Sequence, residues 1–168
     1  MQLPDFQRGW VWDDNHIRSL IASISRSFPI GSVMLLENGG DGVRFKPRTV
    51  EGAPATGVAP EQLILDGQQR MTSLYLALRS GKPVATRTEK GKDIDRYYYM
   101  NISACLDPGA DREDAVVSIS PERVIRTNFN RDIALDLSST EKEHKNACPG
   151  WHDPCISGCH HLDRSTPR

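Results

Sequence analysis

Residues 63–78, LILDGQQRMTSLYLAL, set a short apolar run, an Asp-Gly turn and a helical repeat end to end with no linker between them. Met71, Leu74, Tyr75 and Leu78 fall at i, i+3, i+4 and i+7, which predicts a helix over Gln69 to Arg79. Gly81 and Pro83 stop it. Gln62 to Leu65 reads as an apolar strand, so the chain must change from strand to helix within Asp66-Gly67. A junction of this kind presents free backbone N–H groups and the positive end of a helix dipole, a ready anion site. Gly67 lets the backbone approach a phosphate closely. Arg70 can fork onto phosphate oxygens, and Thr72 or Ser73 adds a hydroxyl. Asp66 can hold a divalent metal or orient a water that Gln68 and Gln69 position. An ordinary turn leading into an ordinary first helical turn uses the same residue types. Neither GxxxxGK[ST] nor GxGxxG is present.

Around this segment the periodicity predicts a small α+β domain. Ile17, Leu20, Ile21, Ile24 and Phe28 form one apolar stripe, giving a helix over Asp13 to Phe28, capped by Asp13 or Asp14 and stopped by Pro29 and Gly31. Ser32 to Glu37 reads as a buried strand, with Val43 to Lys46 returning as its hairpin partner. Residues 51–60 read as a flexible loop, Thr86 to Asp95 as a charged loop, and Tyr97 to Ile102 and Ala115 to Ile119 as strands. The order of elements suggests a small mixed sheet with packed helices.

The 168 residues carry 21 basic and 22 acidic side chains, so any nucleic-acid contact is a local patch rather than a whole-surface field. No apolar run approaches the roughly 20 residues of a membrane span, and no secretory signal is visible. A soluble cytoplasmic protein is the expectation. Residues 147–168 differ in composition: Cys148, Cys155 and Cys159 crowd there with His152, His160 and His161. Their spacing matches no familiar zinc pattern, and a disordered or out-of-frame tail following a domain over residues 1–146 is the preferred reading over a zinc knuckle. No metal ligand set is assigned.

A second polar cluster opens the chain. Gln7 and Arg8 suit a base, a phosphate or a DNA backbone, while Trp10 and Trp12 alternate as on a terminal strand with both indoles in the core.

The ordered combination PDFQRGWVW, SISRSFPIGS and LILDGQQRMTSLYLAL resembles the N-terminal domain of GmrSD-type restriction endonucleases. That family carries a DGQQR motif and is related to the ParB/sulfiredoxin fold. The resemblance implies a nucleotide-binding, nucleoside-triphosphate-hydrolysing module of prokaryotic defence against modified foreign DNA. It implies a nucleoside triphosphate with Mg2+ as cofactor, and modified DNA as partner. By the same resemblance, Asp66, Gln68, Gln69 and Arg70 are the catalytic set. Gln7, Arg8, Gly67, Arg70 and Thr72 bind the nucleotide. Nothing in the sequence resembles the HNH-type nuclease region of longer members, so a nuclease domain or subunit is expected elsewhere. The alternatives are a non-enzymatic ParB-like adaptor that binds DNA and senses nucleotide, or a degenerate, truncated fragment of a restriction enzyme.

Overall fold

The structure, a computed structural model, describes residues 1–38, 45–55, 57–129 and 131–138. In chain order the elements are β1 (Leu3–Pro4), α1 (Asp14–Ser25), β2 (Met34–Glu37), β3 (Pro47–Arg48), β4 (Gln62–Asp66) and α2 (Gln68–Leu78). They continue with β5 (Val84–Arg87), β6 (Asp93–Met100), α3 (Ile102–Leu106), α4 (Arg112–Ala115), β7 (Val116–Ile119), β8 (Val124–Thr127) and β9 (Asp132–Asp136). The architecture is α+β.

Among the described residues, four small antiparallel sheets replace one continuous sheet: β1 with β3, β2 with β4, β5 with β6 and β7, and β8 with β9. A parallel bridge from Gln2 to Leu63 ties the first ladder to the second. The chain start is thereby held alongside β4, the strand that leads into the Asp66-Gly67 turn.

The core follows from strand alternation in β6. Tyr98 faces Ile17, Ile21 and Ala22 of α1 together with Val84 and Val116. Its neighbour Tyr99 faces the other way, onto Ile119, Leu135 and Leu137. One strand therefore serves two apolar clusters, as a side-chain period of 2 requires. Each fully buried aliphatic side chain contributes about 1.5–3 kcal/mol by leaving water.

Helix α1 begins where Asp13 caps it, its carboxylate accepting from the His16 backbone N–H at 2.9 Å. The helix ends at Ser25, three residues short of the expected Phe28. Ser27 adopts φ +57°, with Ser27 N–H donating to Ile24 C=O and Phe28 N–H to Ser23 C=O. That paired closure terminates the helix before Pro29 is reached. Phe28 consequently lies outside the helix and is 55% exposed.

Burial works to raise the Asp13 carboxyl pKa, but hydrogen bonds and charge from His16 outweigh it and hold the group below its ordinary 3.8. A lowered folded pKa stabilises the fold above 3.8 and loses that contribution as pH falls through the folded value. Asp13→Ala should therefore cost about 1 kcal/mol at neutral pH, the usual worth of an N-cap. The gap between variant and parent in urea unfolding should narrow as pH falls below 3.8. A gap that widens in acid would remove the charge from this account.

Several sequence expectations need correction. Ser32 to Glu37 forms a strand only from Met34, and that strand is not buried: Met34 is 59% exposed. Its partner is β4 rather than the 43–46 segment, of which residues 43 and 44 lie outside the described residues. Thr86 to Asp95 is not a loop but most of a β5–β6 hairpin, its turn closed by Gly91 N–H donating to Thr88 C=O. The expected strand starts at Tyr97 and Ala115 shift to Asp93 and Val116, and the first of these strands ends at Met100. Helices α3 and α4 and the β8–β9 ladder were not expected. Trp10 and Trp12 lie on no strand; they are half-buried and pack against the α1–β6 cluster from its side. The Cys/His-rich tail lies outside the described residues.

Candidate functional site

Strand β4 ends at Asp66, and α2 starts at Gln68. Between them Gly67 adopts φ +86° at the N-cap position, a left-handed conformation that glycine takes without a Cβ penalty. No side chain caps α2, so the N–H groups of its first turn are left to solvent or a ligand. The turn opens on a groove of about 570 Å³ lined by Phe6, Gln7, Arg8, Trp12, Leu65 and residues 66–70. The two polar clusters, far apart in sequence, meet along this one groove.

What brings them together is a set of amide clamps. Gln7 Nε2 donates to the carbonyls of Ile64 and Leu65 at 2.7 and 2.8 Å, fixing the chain start across the end of β4. Gln69 reaches back with both ends of its amide: Nε2 donates to Gly9 C=O at 3.1 Å and Oε1 accepts from Val11 N–H at 3.0 Å. Gln68, 7% exposed, donates to Arg8 C=O at 2.8 Å. Trp10 Nε1 donates to Ser73 Oγ at 2.8 Å. The buried positions of α2 are thus polar, Gln68, Thr72 and Ser73, while Leu76 and Ala77 pack half-buried against the α1–β6 cluster, and the stripe Met71, Leu74, Tyr75 and Leu78 is not the buried face.

Thr72 is 0% exposed, its Oγ1 is buried without a hydrogen-bond partner, and it is not among the residues that line the groove. Gln7 is half-buried, with Nε2 engaged and Oε1 buried and unpartnered. Asp66 leaves its carboxylate 64% exposed, 3.3 Å from Arg70 Nη2. The Arg70 guanidinium also donates to the carbonyls of Ile30 and Ser32. Arg8 offers its carbonyl to Arg48 and Gln68, while its exposed guanidinium has no hydrogen-bond partner among the described residues. Electrostatically, the groove thus sets one unengaged cation and one exposed carboxylate at the uncapped positive end of a helix.

Sequence reasoning missed Arg48 and Gly31. Arg48 Nη2 donates to the Gln7 and Arg8 carbonyls at 3.2 and 3.0 Å, holding the Gln7-Arg8 backbone in place. Arg48 sits where no periodicity or motif marks it. In the sequence Gly31 signals only a helix stop.

Residues 1–151 match the family model described as GmrSD restriction endonuclease, N-terminal domain. The chain belongs to that family. As a GmrSD N-terminal domain it is a module related to restriction systems, and the match spans every element of the groove. It is also 29% identical over 147 residues to an uncharacterized protein of Methanocaldococcus jannaschii, a match covering 84% of this chain and 24% of that protein. The chain therefore spans about a quarter of the length of that relative. No solved structure matches the chain. Among the described residues no helix is long and apolar enough to cross a membrane, and no cluster of three or more His, Cys, Asp or Glu is arranged to hold a metal ion.

Proposed function

We propose that the groove binds a nucleoside triphosphate and supports its hydrolysis, as the nucleotide module of a prokaryotic defence system that restricts modified foreign DNA. One observation carries the reading: the uncapped N-terminus of α2, the unengaged Arg8 and the exposed Asp66 line the same groove. Phosphate oxygens meet backbone N–H groups and the dipole at the helix end, and Arg8 adds a forked charge. Magnesium is held by one or two carboxylates together with substrate phosphates, and Asp66 supplies one such carboxylate. The ion would neutralise phosphate charge and orient the phosphates for attack by water. Modified DNA, and a nuclease region in a longer protein or partner subunit, complete the proposed system.

A non-enzymatic reading has its own support. Gln69 spends both ends of its amide on the backbone of residues 9–11 and Gln68 donates to Arg8 C=O, so both motif glutamines hold backbone as well as facing the groove. The two readings separate in a paired experiment on the full chain: calorimetric titration with nucleoside triphosphates and magnesium, alongside a phosphate-release assay. Arg8→Ala should weaken binding by about 1.5–3 kcal/mol, the range for a charged hydrogen bond. Binding without phosphate release would favour the adaptor. Absence of binding to any triphosphate would end the nucleotide reading.

A further inference from the structure

The charge of Arg70 is spent on the protein's own backbone. Nη1 donates to Ile30 C=O and Nη2 to Ser32 C=O at 2.6 Å, so the guanidinium spans the two carbonyls that flank Gly31. Gly31 adopts φ +93°, and a Cβ placed on it would lie 1.8 Å from Nη1. Gly67 closes the other side, where an added Cβ would come within 3.3 Å of Nη2 and 3.4 Å of Ser32 O. Two glycines thus make room for one guanidinium. The same Nη2 stands 3.3 Å from Asp66 Oδ2, one helical turn back.

We propose that Arg70 is a positioning residue: it locks residues 30–32 against the β4–α2 turn and aims the Asp66 carboxylate, while Arg8 and the α2 N-terminus meet the phosphates. The inference rests on the nucleotide reading for its link to turnover, but the clamp itself is open to measurement without nucleotide.

The geometry dictates the pattern of losses. A residue that contacts phosphates in the ground state raises KM when removed, whereas one that aims a reacting group lowers kcat. Arg70→Ala should lower kcat about tenfold or more with KM changed less than about threefold, and Arg8→Ala should show the reverse split. Arg70→Lys keeps the charge but cannot span two carbonyls, so it should lose as much kcat as Arg70→Ala. Gly31→Ala drives a methyl into the guanidinium and should lower kcat in the same way. Once the clamp is broken the second change has little left to break, so the Gly31→Ala, Arg70→Ala pair should be clearly less damaging than the product of the single losses.

The test is steady-state phosphate release for these five variants. It is paired with amide hydrogen exchange over residues 30–33 and with thermal unfolding of the Gly31/Arg70 cycle. Faster exchange at 30–33 in the Arg70 and Gly31 single variants but not in Arg8→Ala, with a non-additive cycle, is the expected result. Full retention of kcat by Arg70→Lys, unchanged exchange at 30–33, or additive Gly31 and Arg70 effects would each overturn the clamp. Should the parent bind no nucleotide, the nucleotide reading falls alone, and exchange and the unfolding cycle still decide the clamp.

Discussion

Asp14→Ala should destabilise the fold by about 3 kcal/mol, from two hydrogen bonds to a charged acceptor and the stranding of a buried donor. A single carboxylate oxygen, Asp14 Oδ1, accepts from Tyr98 Oη at 2.8 Å and from Ser118 Oγ at 2.6 Å. It thereby pins the first turn of α1 to β6 and β7 at once. Tyr98 is 4% exposed, so water cannot replace the lost acceptor. Burial, reinforced by the neighbouring Asp14 charge, pushes the Tyr98 phenol well above its ordinary 10.0. The raised folded pKa means this contribution is fully present below pH 10.0 and is lost as pH rises beyond it. Tyr98→Phe supplies the control, since it keeps the ring and removes the stranded donor. In that background Asp14→Ala should cost about 1–2 kcal/mol less, a coupling that denaturant unfolding resolves. An Asp14→Ala variant within about 0.5 kcal/mol of the parent, the range of neutral surface changes, would remove the network from the stability account.

The site was legible in the sequence because the physics there is local. Asp66-Gly67 has to turn a strand into a helix, and the turn places Gly67 at a left-handed φ that few other residues accept. That Gln7 and Arg8 line the same groove as Gln68 to Arg70 followed from the family resemblance alone, because no local rule pairs residues so far apart. What the motif side chains do was harder to read. Composition suggested groups directed at water and phosphate, whereas Gln68, Gln69 and Arg70 bind carbonyls and an N–H of two other segments. A side chain that satisfies backbone far away in sequence leaves no periodic signature.

The missed elements share that cause. The β8–β9 turn places Asn128 and Phe129 at φ +49° and +55°, a hairpin geometry that the sequence announces by Asn-Gly or Asp-Gly and not by Asn-Phe. In the β5–β6 hairpin, Val84 and Thr86 point inward and Ala85 and Arg87 outward, so the alternation was present. The run of charge between Arg87 and Asp95 concealed it. On α2 the buried positions are Gln68, Thr72 and Ser73, with Leu76 and Ala77 beside them against the core, so the stripe from Met71 to Leu78 pointed to the wrong face.

Asp66→Asn should lower phosphate release by about a hundredfold or more, the scale of removing a group that handles a proton or a metal in the reaction. Nucleotide affinity measured without magnesium should change by less than about threefold, because the proposed carboxylate acts through the ion or the water and does not itself hold the phosphates. The side chain is 64% exposed, and its only hydrogen bond among the described residues is the 3.3 Å contact with Arg70. Asparagine keeps an acceptor there, and an exposed ion pair of this kind is worth under about 1 kcal/mol, so unfolding should barely change. Stability and turnover therefore come apart in this variant, which a merely structural Asp66 could not produce. The loss should also exceed that of Arg70→Ala, since one group acts on the reacting atoms and the other only aims it. Raising magnesium should recover part of the activity if the missing charge held the ion, and none if it oriented water alone. Turnover within about twofold of the parent would place the reacting water, and any ion it needs, away from Asp66.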